Sequence, residues 1–115
     1  MKSILREFGF DHVVESSDGE DAIQHLSEHQ FDLVIVERLL PLIGGIEITR
    51  RMRAEGPHRT THVIMTARKD QPEDVLHAVE SGVNEYVLEP FDKDVMRAKM
   101  QKVAKALKSR SASGH

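Results

Sequence analysis

Two glutamates in this sequence stand where an apolar run stops, at the end of "DLVIVE" (Asp32–Glu37) and of "YVLE" (Tyr86–Glu89). A third run, "HVIMT" (His62–Thr66), ends on a hydroxyl. If these runs are parallel strands, their carboxyl ends bring Glu37, Thr66 and Glu89 to one edge of a sheet, where open α/β sheets bind ligands. Carboxylates at such an edge can hold a hard cation through oxygen or act as nucleophiles. In unlike environments they can divide acid and base roles in a hydrolysis. Glu37 and Glu89 would be separated by one strand, about 10 Å at ordinary spacing. Side chains reaching into one cleft from that distance repel, and one carboxyl pKa rises. Arg38, Arg68 and Lys69 follow the strand ends and supply cations nearby. A divalent ion bridging the two glutamates would need most of its ligands from water.

Other polar residues are weaker candidates. His25 and His29 are four apart on an expected helix, and His58 and His62 repeat the spacing across a loop. Structural zinc takes four ligands and no carboxylate motif accompanies either pair, so all four read as surface histidines. Gly44-Gly45 serves a turn into a helix, since no glycine-rich phosphate fingerprint follows a strand.

The elements that must position these residues alternate along the chain. Short β-branched runs at "HVVE" (His12–Glu15), "LVIV" (Leu33–Val36), "HVIMT" and "YVL" predict strands, with helical periods between them. Ser17 with Glu20 forms a capping box ahead of Ala22, Ile23 and Leu26. Ile48 and Met52 share a face before Gly56-Pro57. Pro72 opens a helix with Val75, Leu76 and Val79 inward, and Gly82 closes it. Met96, Met100, Val103 and Leu107 line one face of the last helix as core filling. A first helix, "SILREF", is closed by Gly9, and "SRSASGH" reads as a tail. Strand–helix alternation with continuous apolar strands means a parallel sheet covered by helices.

The 115 residues suffice for one domain, and the 39% hydrophobic and 30% charged content fits a globular chain. The absence of cysteine excludes disulfide and thiolate chemistry. No apolar run approaches the roughly 18 residues of a membrane span, and the N-terminus carries no stretch of signal-peptide length. These features point to the cytoplasm. The net charge of −3 gives no push toward nucleic acid. The charge is uneven: residues 93–110 hold seven Lys/Arg against Asp94 alone. Late cations on a helix suit the negative end of its dipole.

In order and spacing, these motifs resemble the receiver domain of two-component response regulators, especially the single-domain chemotaxis type. "ILREFGFDHVVESSDGEDAIQHL" is similar to the family's first helix, second strand and second helix. "FDLVIVERLLPLIGGIEI" is similar to its third strand and phosphoacceptor loop, and "VIMTA" to its fourth strand with the switch hydroxyl, here Thr66. "YVLEPF" matches its fifth strand, with an aromatic switch residue at Tyr86 and a Lys-Pro step, usually cis, at Glu89-Pro90. The likeness runs to about Leu107. In that family an aspartate becomes an aspartyl-phosphate, an acid pair after the first strand holds Mg²⁺, and a lysine contacts the phosphoryl group.

This sequence departs from the family three times. Glu37 occupies the acceptor position, Glu89 occupies the lysine position, and the first strand with its acid pair is absent because the chain starts inside the first helix. The resemblance therefore carries over no metal ligands and no cofactor. It implies a flavodoxin-like parallel sheet with helices on both faces, shortened to four strands and five helices, over residues 1–108, with 109–115 a disordered tail. It implies a non-phosphorylatable signalling module of a phosphorelay, not an enzyme, related to a sensor kinase and acting on a protein partner. The expected partner face combines Tyr86, the exposed part of the helix at 72–81 and the basic helix Lys93–Lys108, with self-association to cover the open sheet edge. Neither nucleic acid nor membrane is an expected partner. Two alternatives are a shortened form of a phosphorylatable regulator and a small hydrolase using Glu37 and Glu89.

Overall fold

The strand His62–Arg68 is the centre of the sheet, with six of its seven residues buried. A strand this apolar on both faces needs neighbours on each side and cover above and below. The computed structural model describes residues 2–54, 56–68 and 74–113. Its elements are α1 (Lys2–Glu7), α2 (Gly19–Glu28), β1 (Leu33–Glu37), α3 (Gly45–Ala54), β2 (His62–Arg68), α4 (Asp74–Ser81), β3 (Glu85–Glu89) and α5 (Lys93–Ser113). The sheet is parallel, in the order β1-β2-β3. Register aligns Leu33 with His62 and Glu37 with Thr66, then Ile64 with Glu85 and Arg68 with Glu89.

The described sheet therefore has three strands, not the expected four. His12–Glu15 joins no ladder, and Val14 is 47% exposed. β-branched residues fit a pleated surface, but a strand exists only where an adjacent edge takes up its backbone groups. β1 pairs with β2 and with no other described strand, so direct pairing of "HVVE" with "LVIV" does not occur.

Contacts gather into two compact units. In residues 15–90, Val36, Val63 and Met65 from the sheet meet Leu26 of α2, Ile48 and Met52 of α3, and Ala78 of α4. α2 is capped by Asp18, whose carboxylate accepts from the Asp21 N–H at 2.8 Å, not by Ser17 as expected. The shift follows from Gly19, which is buried and donates its N–H to the Pro41 carbonyl at 2.9 Å, fixing where the helix begins. α4 also differs from expectation: Leu76 is 64% and Val79 58% exposed, while Ala78 and Ser81 are buried. Pro72 lies outside the described residues. Gly82, at φ +103°, closes α4 with bonds from its own N–H to Val79 and from Val83 to Ala78.

In residues 2–14 and 91–113, Ile4 and Leu5 of α1 and Met96, Met100 and Val103 of α5 are buried. Arg97 of α5 forks onto Glu7 of α1 at 3.2 and 3.3 Å. That hydrogen bond and the Glu7 charge push the guanidinium above its usual value. Gly9, at φ +88°, ends α1 with the Phe10 N–H on the Leu5 carbonyl. α5 continues as helix to Ser113, through residues expected to form a tail.

Candidate functional site

β1 carries Glu37 to the carboxyl end of the sheet, and the ladder holds one step further, with the Arg38 N–H donating to the Thr66 carbonyl at 2.8 Å. Glu37 and Thr66 are register partners, so the expected acid and hydroxyl stand side by side on adjacent strands. Glu37 is exposed and Thr66 is buried. The loop after Glu37 folds back on itself. The Gly45 N–H donates to the Arg38 carbonyl at 2.9 Å and the Ile43 N–H to Pro41 at 2.8 Å. A Cβ on Gly45 would lie 2.5 Å from the Glu37 carbonyl oxygen, which is why glycine opens α3 here. Leu42 takes φ +72° within the same loop, a conformation L-residues adopt at some cost. The result is a hydrogen-bonded backbone presenting an exposed carboxylate to solvent.

Glu89 ends β3, with β2 between it and β1, as the sequence suggested. Its register partner is Arg68, an exposed cation at the end of β2. Lys69 lies outside the described residues. The Glu89–Pro90 bond is cis. Tyr86, register partner of Met65, is half-buried and packs against the core cluster.

The donor set does not suit the divalent cation that the fold family implies. Such an ion takes about six oxygen ligands, usually including carboxylates. Among the described residues, no group of three or more His, Asp or Glu is placed to hold a metal. His25 and His29 stack at 6.4 Å between centroids, and His25 lies 3.5 Å from Asp21.

His58 and His62 are buried, which corrects the expectation of surface histidines. His58, 3% exposed, sets Nε2 3.0 Å from the Leu26 carbonyl and 3.1 Å from that of His29, with Nδ1 3.0 Å from the Thr61 hydroxyl. Two carbonyls at Nε2 require a proton there. The ring ties the end of α2 to the turn before β2, and its role is structural. The sequence signal that would have found it is slight: a histidine just after a Gly-Pro turn, followed three residues later by a threonine.

Parallel strands joined by helices, with polar side chains at their carboxyl ends and an aromatic residue on the third strand, define an α/β domain of the flavodoxin-like class. The pattern of the response regulator receiver domain matches residues 1–101, and the chain belongs to that family. It is similar to the chemotaxis protein CheY of Pseudomonas aeruginosa, at 30% identity over 103 residues, covering 90% of this chain and 83% of that protein. CheY-3 of Vibrio cholerae is 29% identical over 107 residues, covering 93% and 82%. Among solved structures, the receiver domain of the response regulator AraT from Geobacillus stearothermophilus superposes with a TM-score of 0.84 at 25% identity, covering 92% and 81%. The receiver domain of a histidine kinase from Syntrophus aciditrophicus gives 0.81 at 26%, covering 93% and 80%. This is a CheY-like receiver domain of a two-component system. No helix among the described residues is long and apolar enough to cross a membrane.

Proposed function

We propose that this receiver domain signals by binding a protein partner, without taking up a phosphoryl group and without acting as an enzyme. The observation that carries the reading is Glu37 at the strand end, in register with Thr66. Its carboxylate stands one methylene further from the backbone than an aspartate's would. A misplacement of about 1 Å in an oriented reaction can cost ~10²-fold in rate. Phosphoryl transfer also depends on cations that neutralise developing charge, and Glu89 places an anion where the family has its lysine. Both effects bear on one transition state. Glu37 instead supplies a fixed charge of about −1, against −1.5 to −2 for a phosphate group, so it imitates the modified state in part.

For partner binding, α4 offers Leu76 and Val79, and β3 offers Leu88, all exposed apolar side chains. Tyr86 supports this surface from its inner side rather than standing out from it. Separately, the exposed Lys102 and Lys105 of α5 favour encounter with an acidic partner, raising the rate of association more than its tightness. A histidine kinase or another two-component protein is the fitting class of partner.

The test is incubation with a small-molecule phosphodonor and Mg²⁺, followed by intact mass measurement. The expected outcome is an unchanged mass for the parent and for Glu37→Asp alike. A phosphoryl adduct that disappears in Glu37→Gln would overturn the proposal.

A further inference from the structure

His25 lies in the last turn of α2 and His29 at its C-cap. Their ring centroids are 6.4 Å apart, with the planes 26° from parallel. Residues four apart share one face of a helix, the spacing from which two imidazoles reach a single ion. The backbone beneath this pair is held in place. The His29 N–H donates to the His25 carbonyl at 3.0 Å, and His58 Nε2 sits 3.0 Å from the Leu26 carbonyl and 3.1 Å from that of His29. Gln30 Nε2 donates to the Pro57 carbonyl at 3.2 Å. The local charge is negative. α2 contains Glu20, Asp21 and Glu28 and neither lysine nor arginine, and Asp21 Oδ2 lies 3.5 Å from His25 Nε2. The carboxyl end of a helix also favours a cation.

We propose that His25 and His29 bind one divalent transition-metal ion, zinc, nickel or copper, through one nitrogen of each ring. Imidazole suits these ions, whereas magnesium takes oxygen ligands. An imidazole nitrogen lies about 2.0–2.1 Å from bound zinc, which sets two rings on a tetrahedral ion roughly 5 Å apart between centroids. The pair must therefore close by about 1 Å from its present separation. Side-chain rotation supplies this, since His29 is exposed and the His25 side chain is 32% exposed. Among the described residues no group of three or more His, Asp or Glu gathers around an ion, so water fills the remaining positions. Structural zinc takes four protein ligands, and an ion held by two is exchangeable. It staples the last turn of α2, whose Leu26 belongs to the core, so occupancy stabilises the fold. The other pair at this spacing offers no such site, because His58 and His62 are both buried.

The proposal is independent of the phosphorylation reading. Its test is isothermal titration of the untagged 115-residue chain with Zn²⁺ and with Ni²⁺, each alone, together with thermal melting. The parent is expected to bind one ion per chain and to melt at least about 3 °C higher at saturation, with Mg²⁺ giving neither effect. His25→Ala and His29→Ala should each weaken binding at least ~10-fold and remove the rise in melting temperature. His12→Ala and His77→Ala, at exposed positions on other segments, should change neither. Asp21→His in the His29→Ala chain sets two imidazoles four apart again and should recover most of the lost affinity. Should His29→Ala lose its cooperative melt, His29→Gln takes its place, keeping much of the bulk without the imidazole. A parent without saturable binding, a single variant at position 25 or 29 that binds like the parent, or a double variant that recovers nothing would each overturn the proposal. So would binding lost in His77→Ala, which would move the ion to α4.

Discussion

The guanidinium of Arg53 donates to the carbonyls of His58, Arg59, Thr61 and Gly82 and to Asn84 Oδ1, at 2.7 to 3.1 Å. Asn84 Oδ1 also accepts from the Val63 N–H, so one side chain gathers the turn before β2, the end of α4 and the start of β3. Hydrogen bonds from a charged donor contribute more than neutral ones, and Arg53→Met should cost about 2–3 kcal/mol, read from the urea midpoint. Lysine would keep the charge and lose the planar fork, so Arg53→Lys should recover only part of that loss. Nothing in the sequence around Arg53 announces this role, because four of its five acceptors are main-chain oxygens, the furthest 29 positions away. Glu37, Thr66 and Glu89 were legible for the opposite reason. Each ends an apolar run, and the ladder converts that sequence boundary directly into a place. Their chemistry depends on neighbours across the sheet edge, which no single run specifies.

At the scale of elements, the termini of the helices were more legible than their faces. Gly9 and Gly82 both close a helix at positive φ, as their positions after apolar-periodic segments implied. Gly82 is also close-packed, since a Cβ there would lie 2.9 Å from Cγ of Arg53. Gly82→Ala should cost about 1–2 kcal/mol, from the strained backbone and the displaced arginine together, and thermal melting would measure it. The inward face of α4 was misread because eight residues hold Val75, Leu76, Ala78 and Val79, which span about 160° of the helix, a stripe wide enough for either of its edges to face the core. Two turns are too few for a period to select one face, and the small Ala78 lies where the core leaves little room. "HVVE" failed as a strand for a different reason. Composition reports that a segment fits a pleat, and it says nothing about whether a free edge lies beside it.

For the molecule as a whole, the contrast between the core and the exposed apolar side chains predicts two kinds of response. Met65 is fully buried at the centre of the sheet, and Met65→Ala should cost about 2–5 kcal/mol by urea denaturation. Leu76→Ala, on the outside of α4, should stay within about 0.5 kcal/mol of the parent, so any loss of partner binding it causes would not be a loss of folding. The fold class was readable because the run Val63–Met65 within β2 is continuously apolar and strands alternate with helices, a pattern few architectures satisfy.

The fork between Glu7 and Arg97 joins residues 90 positions apart. A chain emerges from the ribosome N-terminus first, so α1 is made before β1, β2 and β3, and its counterpart in α5 arrives only after those strands have been translated. Domains begin folding during synthesis, and the segment from α2 to β3 contains every partner of its own core by then. Ile4 and Leu5 gain the cover of α5, which contacts α1 in the folded chain, only after α5 has been made. Translation speed through the codons for α5 therefore sets how long that apolar pair stays open to chaperones.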